Sequence, residues 1–137
     1  MSQIPAKPLP PIDAASQEYW DRCALGELTV QQCNICGHQQ HYPRLACTAC
    51  QGRELSLVNV SGQGTIRSFS IIRRAVSAAF NDDVPYVVAL VQLAEGPTMM
   101  SNIINCEPES LKIGQGVQVV FESRGDGVKI PQFEPLQ

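Results

Sequence analysis

The sequence predicts a mainly β protein in which an N-terminal helix and a metal-binding ribbon precede a small five-stranded barrel. Two observations predict this fold class. Four cysteines stand in two Cys-x-x-Cys pairs, Cys33 with Cys36 and Cys47 with Cys50. Downstream of them, short apolar and β-branched segments alternate with glycine-rich turns, as in small all-β domains. We therefore divide the chain into a flexible Pro-rich N-terminus at 1–12, a helix plus ribbon at 13–54 and a barrel at 55–137.

The composition limits the classes of partner. The 137 residues carry 10 Lys and Arg against 13 Asp and Glu, which gives a formal net charge of −3 and a pI of about 5.3. Proteins that bind nucleic acid usually present a basic face. Aromatic residues, which stack on bases, make up only 6% of the chain. The composition therefore argues against a nucleic-acid-binding role.

The sequence also predicts no association with membranes. It contains no run of about 18 apolar residues, the length that a membrane helix needs. The first 11 residues contain one Lys and four Pro, unlike a signal peptide with its basic start and apolar centre. We therefore expect a cytoplasmic protein, in a reducing compartment where thiols bind metal rather than form disulfides.

The sequence predicts a helix that starts at Asp13 or Ser16 and reaches Glu27. Tyr19, Trp20, Cys23 and Ala24 recur at helical spacing and make one apolar stripe. The stripe fits packing against the rest of the protein. Trp20 is the only tryptophan, and it is also a candidate anchor for a partner protein.

The cysteine spacing predicts one tetrahedral metal site in a rubredoxin-like ribbon. Each Cys-x-x-Cys turn, called a knuckle below, can bind a metal, and two knuckles joined by a short hairpin complete a set of four thiolates. Four sulfur ligands favour zinc, with iron second, and disulfides are the alternative. Gly37 and Gly52 follow the two pairs, and we expect both to adopt positive φ. Four protein ligands leave no position for substrate, so the zinc is expected to be structural.

The rest of the chain predicts five strands, at 65–73, 86–93, 98–104, 117–121 and 128–133. Gly62 and Gly64 indicate a bulge or bend in the first strand, and one helical turn at 108–111 precedes the fourth. This order fits a Greek-key barrel of the oligonucleotide/oligosaccharide-binding type, the OB-fold, and an SH3-like barrel fits the same pattern. The second strand is almost continuously apolar, which predicts that both of its faces are covered.

The order of these elements, together with several short segments, resembles a known family. The segments that carry the resemblance run from the helix to the barrel: Tyr19-Trp20, Pro43-Arg44, Gly62-Gln63-Gly64-Thr65, Pro85 to Leu93, Glu95-Gly96, Ser101-Asn102, Leu111-Lys112-Ile113-Gly114 and Val117 to Glu122. They resemble the zinc-ribbon plus OB-fold family, the domain of unknown function thirty-five type, over about residues 15–135. All four cysteines that the metal-binding members use are present.

The resemblance implies a subunit that accompanies an acyl-CoA enzyme. Family members look like non-catalytic or co-catalytic subunits of thiolases, thiolase-like aldolases and hot-dog hydratases, and in some complexes they help to hold CoA. We therefore predict an accessory subunit in a hetero-oligomer of lipid metabolism, which helps to bind or position acyl-CoA and has no catalytic activity alone. The expected cofactor is structural zinc, and a CoA thioester is a candidate ligand. The alternative is a module for single-stranded nucleic acid, because a ribbon plus an OB-fold also suits that role.

The sequence shows no catalytic constellation, so the candidate binding residues are cations and apolar side chains. Three arginines lie within eight residues and precede a partly apolar loop at 75–83. Arginine pairs with phosphate through two hydrogen bonds, which makes Arg73 and Arg74 candidate CoA or partner contacts. Phe80 in the loop and Trp20 in the helix are the apolar candidates. The competing interpretations are a solvated strand end, or salt bridges from the arginines to Asp82 and Asp83.

The remaining reactive side chains fit structural roles. His38 and His41, the only histidines, lie in the hairpin between the knuckles, where we expect them at the surface. Cys23 and Cys106 have no partner at metal-binding spacing, and we expect small buried side chains rather than nucleophiles.

Overall fold

The computed structural model describes residues 6–136, and the mainly β class predicted from the sequence is confirmed. The elements follow in chain order: helix α1 (Gln17–Ala24), then strands β1 (Thr29–Cys33), β2 (Gln39–Gln40), β3 (Leu55–Asn59), β4 (Gln63–Ile72), β5 (Tyr86–Leu93), β6 (Thr98–Ile103), β7 (Gly116–Gly125) and β8 (Val128–Pro135). Short 3-10 turns occupy Ala78–Phe80 and Pro108–Ser110. No helix within residues 6–136 is long and apolar enough to cross a membrane.

Helix α1 begins after Ser16, one of its two predicted starts, and ends before the predicted Glu27, because both ends are fixed by local chemistry. Asp13 and Ser16 form a turn before the helix, in which each backbone N–H donates to the other residue's side chain, at 3.1 and 3.0 Å. Gly26 adopts φ +80° just beyond the helix, a conformation that glycine accepts without steric cost. The turn and the glycine therefore confine the helix to Gln17–Ala24.

The ribbon is a three-stranded antiparallel sheet with β1 in the centre. β2 pairs on one side of β1, and β3 pairs on the other from Thr29↔Asn59 to Cys33↔Leu55. By its pairing β3 belongs to the ribbon sheet, whereas the sequence pattern predicts a barrel over residues 55–137. The first barrel strand begins at Gln63.

The barrel closes in the strand order β4-β5-β6-β8-β7, with β7 pairing back to β4. All these pairs are antiparallel except β6 with β8, which are parallel at Ile103↔Phe133. This is the five-stranded closed barrel of the OB-fold, as predicted. The bend predicted at the two glycines is present at Gly62, which adopts φ +81° just before β4, whereas the bulge in β4 lies further along, between Ile66 and Ser68. Gly64 is buried in β4, and a Cβ at this position would lie 2.6 Å from the carbonyl oxygen of Gln92.

Strand β5 is covered on one face only, so the expectation of two covered faces is wrong. Val87, Ala89, Val91 and Leu93 point into the barrel and are at most 2% exposed. The alternate residues face outward, and Leu90 is 37% exposed. A small closed barrel has a single interior, so a continuously apolar strand in it leaves apolar side chains outside.

One hydrophobic core joins the helix, the ribbon and the barrel. Tyr19 and Cys23 of α1 and Val30 of β1 pack in the same buried cluster as Val117 and Phe133 of the barrel. Helix α1 lies against β8. Because this core is continuous, the ribbon is held in a fixed position beside the barrel.

Candidate functional site

The four cysteine sulfurs come together as the sequence predicts. All four Sγ atoms lie within 4.8 Å of one another, with Cys33 to Cys50 at 3.6 Å and Cys36 to Cys47 at 3.7 Å. A zinc ion bound tetrahedrally at about 2.3 Å from each sulfur sets the sulfurs about 3.8 Å apart. None of these cysteines is in a disulfide. The cluster therefore fits a structural zinc ion.

Backbone groups of each knuckle orient the sulfurs. The N–H of Ile35 donates to Cys33 Sγ at 3.4 Å, and the N–H of Ala49 donates to Cys47 Sγ at 3.3 Å. Such N–H groups stabilise the negative charge of a metal-bound thiolate. The equivalent bonds in the two knuckles show that both present their sulfurs in the same way.

The prediction of positive φ is correct for Gly37 and wrong for Gly52. Gly37 has φ +80°, but the residue at the equivalent place in the second knuckle is Gln51, with φ +65°. Gly52 serves close packing instead. A Cβ on it would lie 2.5 Å from Cδ1 of Ile35 and 3.2 Å from Cys50 Sγ, so the missing side chain lets Ile35 of the first knuckle lie against the second.

Backbone N–H groups of the knuckles also set the pKa values of the thiols. The backbone N–H of Cys36 is the main cause that lowers the pKa of Cys33 to about 7, and the N–H of Cys50 lowers the pKa of Cys47. The N–H of Gly52 lowers the pKa of Cys50, but hydrogen bonding to the neighbouring sulfurs outweighs it and raises that pKa to about 12. Zinc, which binds thiolates, therefore displaces protons when it enters.

Two buried glutamines hold the second knuckle to the sheet, and sequence analysis missed them. Gln40 Nε2 donates to Gln31 Oε1 at 2.8 Å, and Gln40 Oε1 accepts from the backbone N–H of Thr48 at 2.9 Å. Gln31 also accepts from the N–H of Arg44 at 2.8 Å. Gln31 is 7% exposed and Gln40 is 6% exposed. These buried side chains accept hydrogen bonds from backbone N–H groups of the loop that carries Cys47 and Cys50. Gln31 and Gln40 lie opposite each other on β1 and β2. This pairing would have identified them, but it cannot be recognised before the register of the two strands is known.

Trp20 and His41 lie in the contact between α1 and the ribbon hairpin. Trp20 Nε1 donates to the hydroxyl of Tyr42 at 2.9 Å, and Trp20 is partly buried. His41 is also partly buried, with Nε2 2.8 Å from the hydroxyl of Tyr19, so the surface position expected for His41 is wrong. His38 is exposed as expected, and its ring contacts Thr48 at 3.0 Å rather than the sulfurs.

The structure separates the two candidate arginines. Arg73 pairs with Glu109 beyond β6, whereas Arg74 is exposed and makes no ion pair to any residue between 6 and 136. The acidic loop residue Asp83 pairs with Lys7 at 2.7 Å, and no arginine between residues 6 and 136 pairs with Asp82 or Asp83, so the alternative of salt bridges to the loop is wrong. Val76, two residues after Arg74 in the chain, is 78% exposed.

Phe80 faces a pocket rather than open solvent. Its ring is partly buried, 6.1 Å from the ring of Tyr86 between centroids, and Lys7 Nζ lies 5.7 Å from its centroid. The Lys7 contact brings the segment before α1 against the loop at 75–83. Cys106, partly buried, lines the same pocket, and Cys23 is fully buried as expected.

A four-thiolate zinc ribbon followed by an OB-fold barrel defines a two-part binding module. Two family models match its parts in turn, described as the ChsH2 rubredoxin-like zinc ribbon domain over residues 20–56 and the ChsH2 C-terminal OB-fold domain over residues 57–122. A DUF35 domain-containing scaffold protein of Methanothermobacter thermautotrophicus is 39% identical over 106 residues, which are 74% of this chain and 79% of that protein. The chain belongs to the DUF35 family, the family that its sequence resembles.

Two further comparisons involve enzymes. The probable enoyl-CoA hydratase alpha subunit of Thermomonospora curvata is 27% identical over 129 residues, which are 94% of this chain but 40% of that subunit. Among solved structures, a chain described as Ltp2-ChsH2(DUF35) aldolase superimposes with a TM-score of 0.83 at 27% identity. That match covers 93% of this chain and 98% of the other.

Proposed function

We propose that this protein is a non-catalytic accessory subunit of an acyl-CoA-processing enzyme and that it helps to bind or position the acyl-CoA. The enzyme would be a thiolase, a thiolase-like aldolase or an enoyl-CoA hydratase. The observation that carries the proposal is the match of nearly the whole fold to a chain from an aldolase described as Ltp2-ChsH2(DUF35). The similarity to a hydratase alpha subunit supports the same class of partner.

The chemistry of the metal centre supports a role without catalysis. Four cysteines fill a tetrahedral zinc site, so the metal offers no open position at which water or a carbonyl group could bind. The two histidines are engaged elsewhere, with Tyr19 and with Thr48. Zinc therefore shapes the ribbon, and the reacting groups would belong to the partner enzyme.

The exposed end of β4 is the surface that we assign to the partner or to CoA. Arg74 is the cation there without an ion pair among the described residues, and Val76 adds exposed apolar area. CoA carries phosphates that a guanidinium can bind through two hydrogen bonds. Arg73, Phe80 and Trp20 remain candidate contacts, although each already has a partner within the chain.

The thiol chemistry supports a cytoplasmic location. All six cysteines are outside disulfides, and four of them form a site that needs thiolates. Such a site is maintained most readily in a reducing compartment.

Native mass spectrometry of the tagged protein purified from its own host tests the proposal. The expected result is a hetero-oligomer that contains zinc and a thiolase-type, aldolase-type or hydratase-type subunit, and the isolated chain should not turn over acyl-CoA thioesters. Recovery of the chain alone across gentle purification conditions, or turnover by the isolated chain at an enzyme-like rate, would overturn the proposal.

A further inference from the structure

A pocket of about 370 Å³ opens at one end of the barrel, away from the zinc site. Its walls come from Lys7 before α1, the loop after β4, the start of β5, the end of β6 with the segment that follows it, and residues of β7 and β8. Phe80, Tyr86 and Ile103 supply apolar surface, while Glu122 and Arg124 supply polar groups. The volume is in the range of small-molecule sites.

The guanidinium of Arg124 is enclosed in this pocket with most of its hydrogen-bonding capacity unused. The side chain is 9% exposed, and its one hydrogen bond in the described structure runs from Nη2 to Glu122 Oε2 at 3.4 Å. The Nε atom is buried without a partner. Guanidinium groups have five N–H donors, and a buried donor without a partner costs free energy. A ligand oxygen in the pocket would accept from Nη1, which donates to no residue between 6 and 136 and is not enclosed as Nε is.

Glu122 is fixed so that one of its oxygens remains free. Gln132, only 3% exposed, donates from Nε2 to Glu122 Oε2 at 2.8 Å. Arg124 donates to the same oxygen, and Oε1 accepts no hydrogen bond from residues 6–136. Glu122 Oε1 can therefore accept a hydrogen bond from an N–H group of a ligand. Arg124, next to it, can donate a hydrogen bond to an oxygen of the same ligand.

The charge of the lining disfavours an anion. Two cations, Lys7 and Arg124, face three carboxylates, Asp82, Asp83 and Glu122. Lys7 pairs with Asp83 and Arg124 with Glu122. The unpaired charge is therefore negative, and the pocket suits an acceptor oxygen on an uncharged group better than a carboxylate or a phosphate.

We propose that this pocket binds an uncharged, planar ring compound that carries a carboxamide group. The carbonyl oxygen would accept from Arg124, the amide N–H would donate to Glu122 Oε1, and the ring would lie against Phe80 and Tyr86. The tilted pair of these two rings, with centroids 6.1 Å apart, leaves apolar faces for such contact. The site goes beyond the proposed accessory role and does not depend on it.

Titration of the zinc-loaded full chain with benzamide, followed by NMR, tests the proposal. Benzoate is the matched probe, because it has the same ring and size but carries a negative charge. We expect benzamide to shift the signals of Arg124 Nε and of the Gln132 side-chain amide saturably. Benzoate should bind at least about fivefold more weakly, because like charge disfavours it.

Two variants assign the effect to the polar pair. Arg124→Lys keeps the charge but loses the planar donors, and it should weaken benzamide binding about tenfold. Glu122→Gln removes one carboxylate and should abolish the preference for benzamide over benzoate. Lys112→Ala, an exposed change outside the pocket, should leave both affinities unchanged.

Three outcomes would overturn the proposal. They are the absence of saturable shifts at the pocket up to the solubility of benzamide, benzoate binding as tightly as benzamide, and unchanged benzamide binding by Arg124→Lys. If Arg124→Lys gives the spectrum of an unfolded chain, the Glu122→Gln comparison decides alone, and an unchanged preference in it overturns the proposal.

Discussion

The hydroxyl of Tyr19 lies 2.8 Å from Nε2 of His41, although 22 residues separate them in the chain. This contact joins α1 to the hairpin between the zinc knuckles. Burial lowers the pKa of His41 from 6.5 to about 4 and raises the pKa of Tyr19. Burial therefore favours the neutral imidazole and connects the stability of the fold to pH.

We expect the protein to lose stability as pH falls from about 6.5 to about 4. The unfolded chain protonates His41 below pH 6.5, but the folded chain does not until about pH 4, so the unfolded state gains protons first. The loss attributable to this residue is up to about 3 kcal/mol. Urea unfolding between pH 7.5 and 4.5 measures it. Acid also releases zinc over a similar pH range, and this lowers stability in any variant. The quantity to compare is therefore the difference in unfolding free energy between the unsubstituted protein and His41→Gln, because the variant should lack the loss caused by protonation of His41. Parallel pH profiles for the two proteins would contradict the prediction.

Removal of zinc should unfold the ribbon and weaken the barrel. We expect Cys33→Ser combined with Cys47→Ser to abolish zinc binding, since structural zinc contributes on the order of 10 kcal/mol to the folding of such sites. The melting temperature of the whole chain should fall because Val30 of β1 packs in the core shared with the barrel. Metal analysis and circular dichroism measure both effects. Cys106→Ser is the control and should keep one zinc per chain, and an intact ribbon in the double variant would disprove the assignment.

Substitution of Arg74 should weaken the binding of CoA or of the partner enzyme. We expect Arg74→Ala to cost roughly 1–3 kcal/mol of binding free energy, as the loss of a charge-assisted hydrogen bond does. Arg73→Ala should cost less, because Arg73 already pairs with Glu109. Isothermal titration calorimetry with CoA and with the co-purified partner gives both values. Lys129→Ala, an exposed change on β8, is the control, and equal affinities for all three variants would leave the end of β4 without a binding role.

A methyl group at Gly64 should destabilise the barrel. The new Cβ would lie 2.6 Å from the carbonyl oxygen of Gln92 and 2.8 Å from Val91 Cγ1, so β4 and β5 would have to separate. We expect Gly64→Ala to cost about 1–3 kcal/mol in the free energy of unfolding. Gly116→Ala is the matched control, because its Cβ meets only the end of the exposed Leu136 side chain, at 2.9 Å. Similar urea midpoints for the two variants would refute the steric explanation.

The isolated chain should not bind single-stranded DNA or RNA appreciably at physiological salt. Affinity for a phosphate backbone comes mainly from Lys and Arg, and this chain has 10 of them against 13 carboxylates. Fluorescence anisotropy with a labelled oligonucleotide over a salt series measures the affinity. Sub-micromolar binding with a steep salt dependence would instead favour the nucleic-acid module considered in the sequence analysis.

The sequence predicted the parts of the structure that depend on local spacing. The zinc ligands follow from two short cysteine turns, and the strands follow from apolar segments bounded by glycine turns. The positive φ of Gln51 could also have been predicted from the sequence, because an alignment of the two knuckles places Gln51 opposite Gly37. The burial of His41 and the enclosure of Arg124 were not predictable, since each depends on residues brought together by the closed fold.

The packing of α1 against β8 has a consequence for synthesis on the ribosome. The helix leaves the ribosome first among the elements described here, but the strand it rests on emerges last, and that strand also fills the gap between β6 and β7. The nascent ribbon can bind its zinc early, because both knuckles lie before residue 51. The barrel cannot close, and the helix cannot dock on β8, until that last strand has emerged, so a chaperone acting on this protein would meet a metal-loaded ribbon followed by a barrel that is still open.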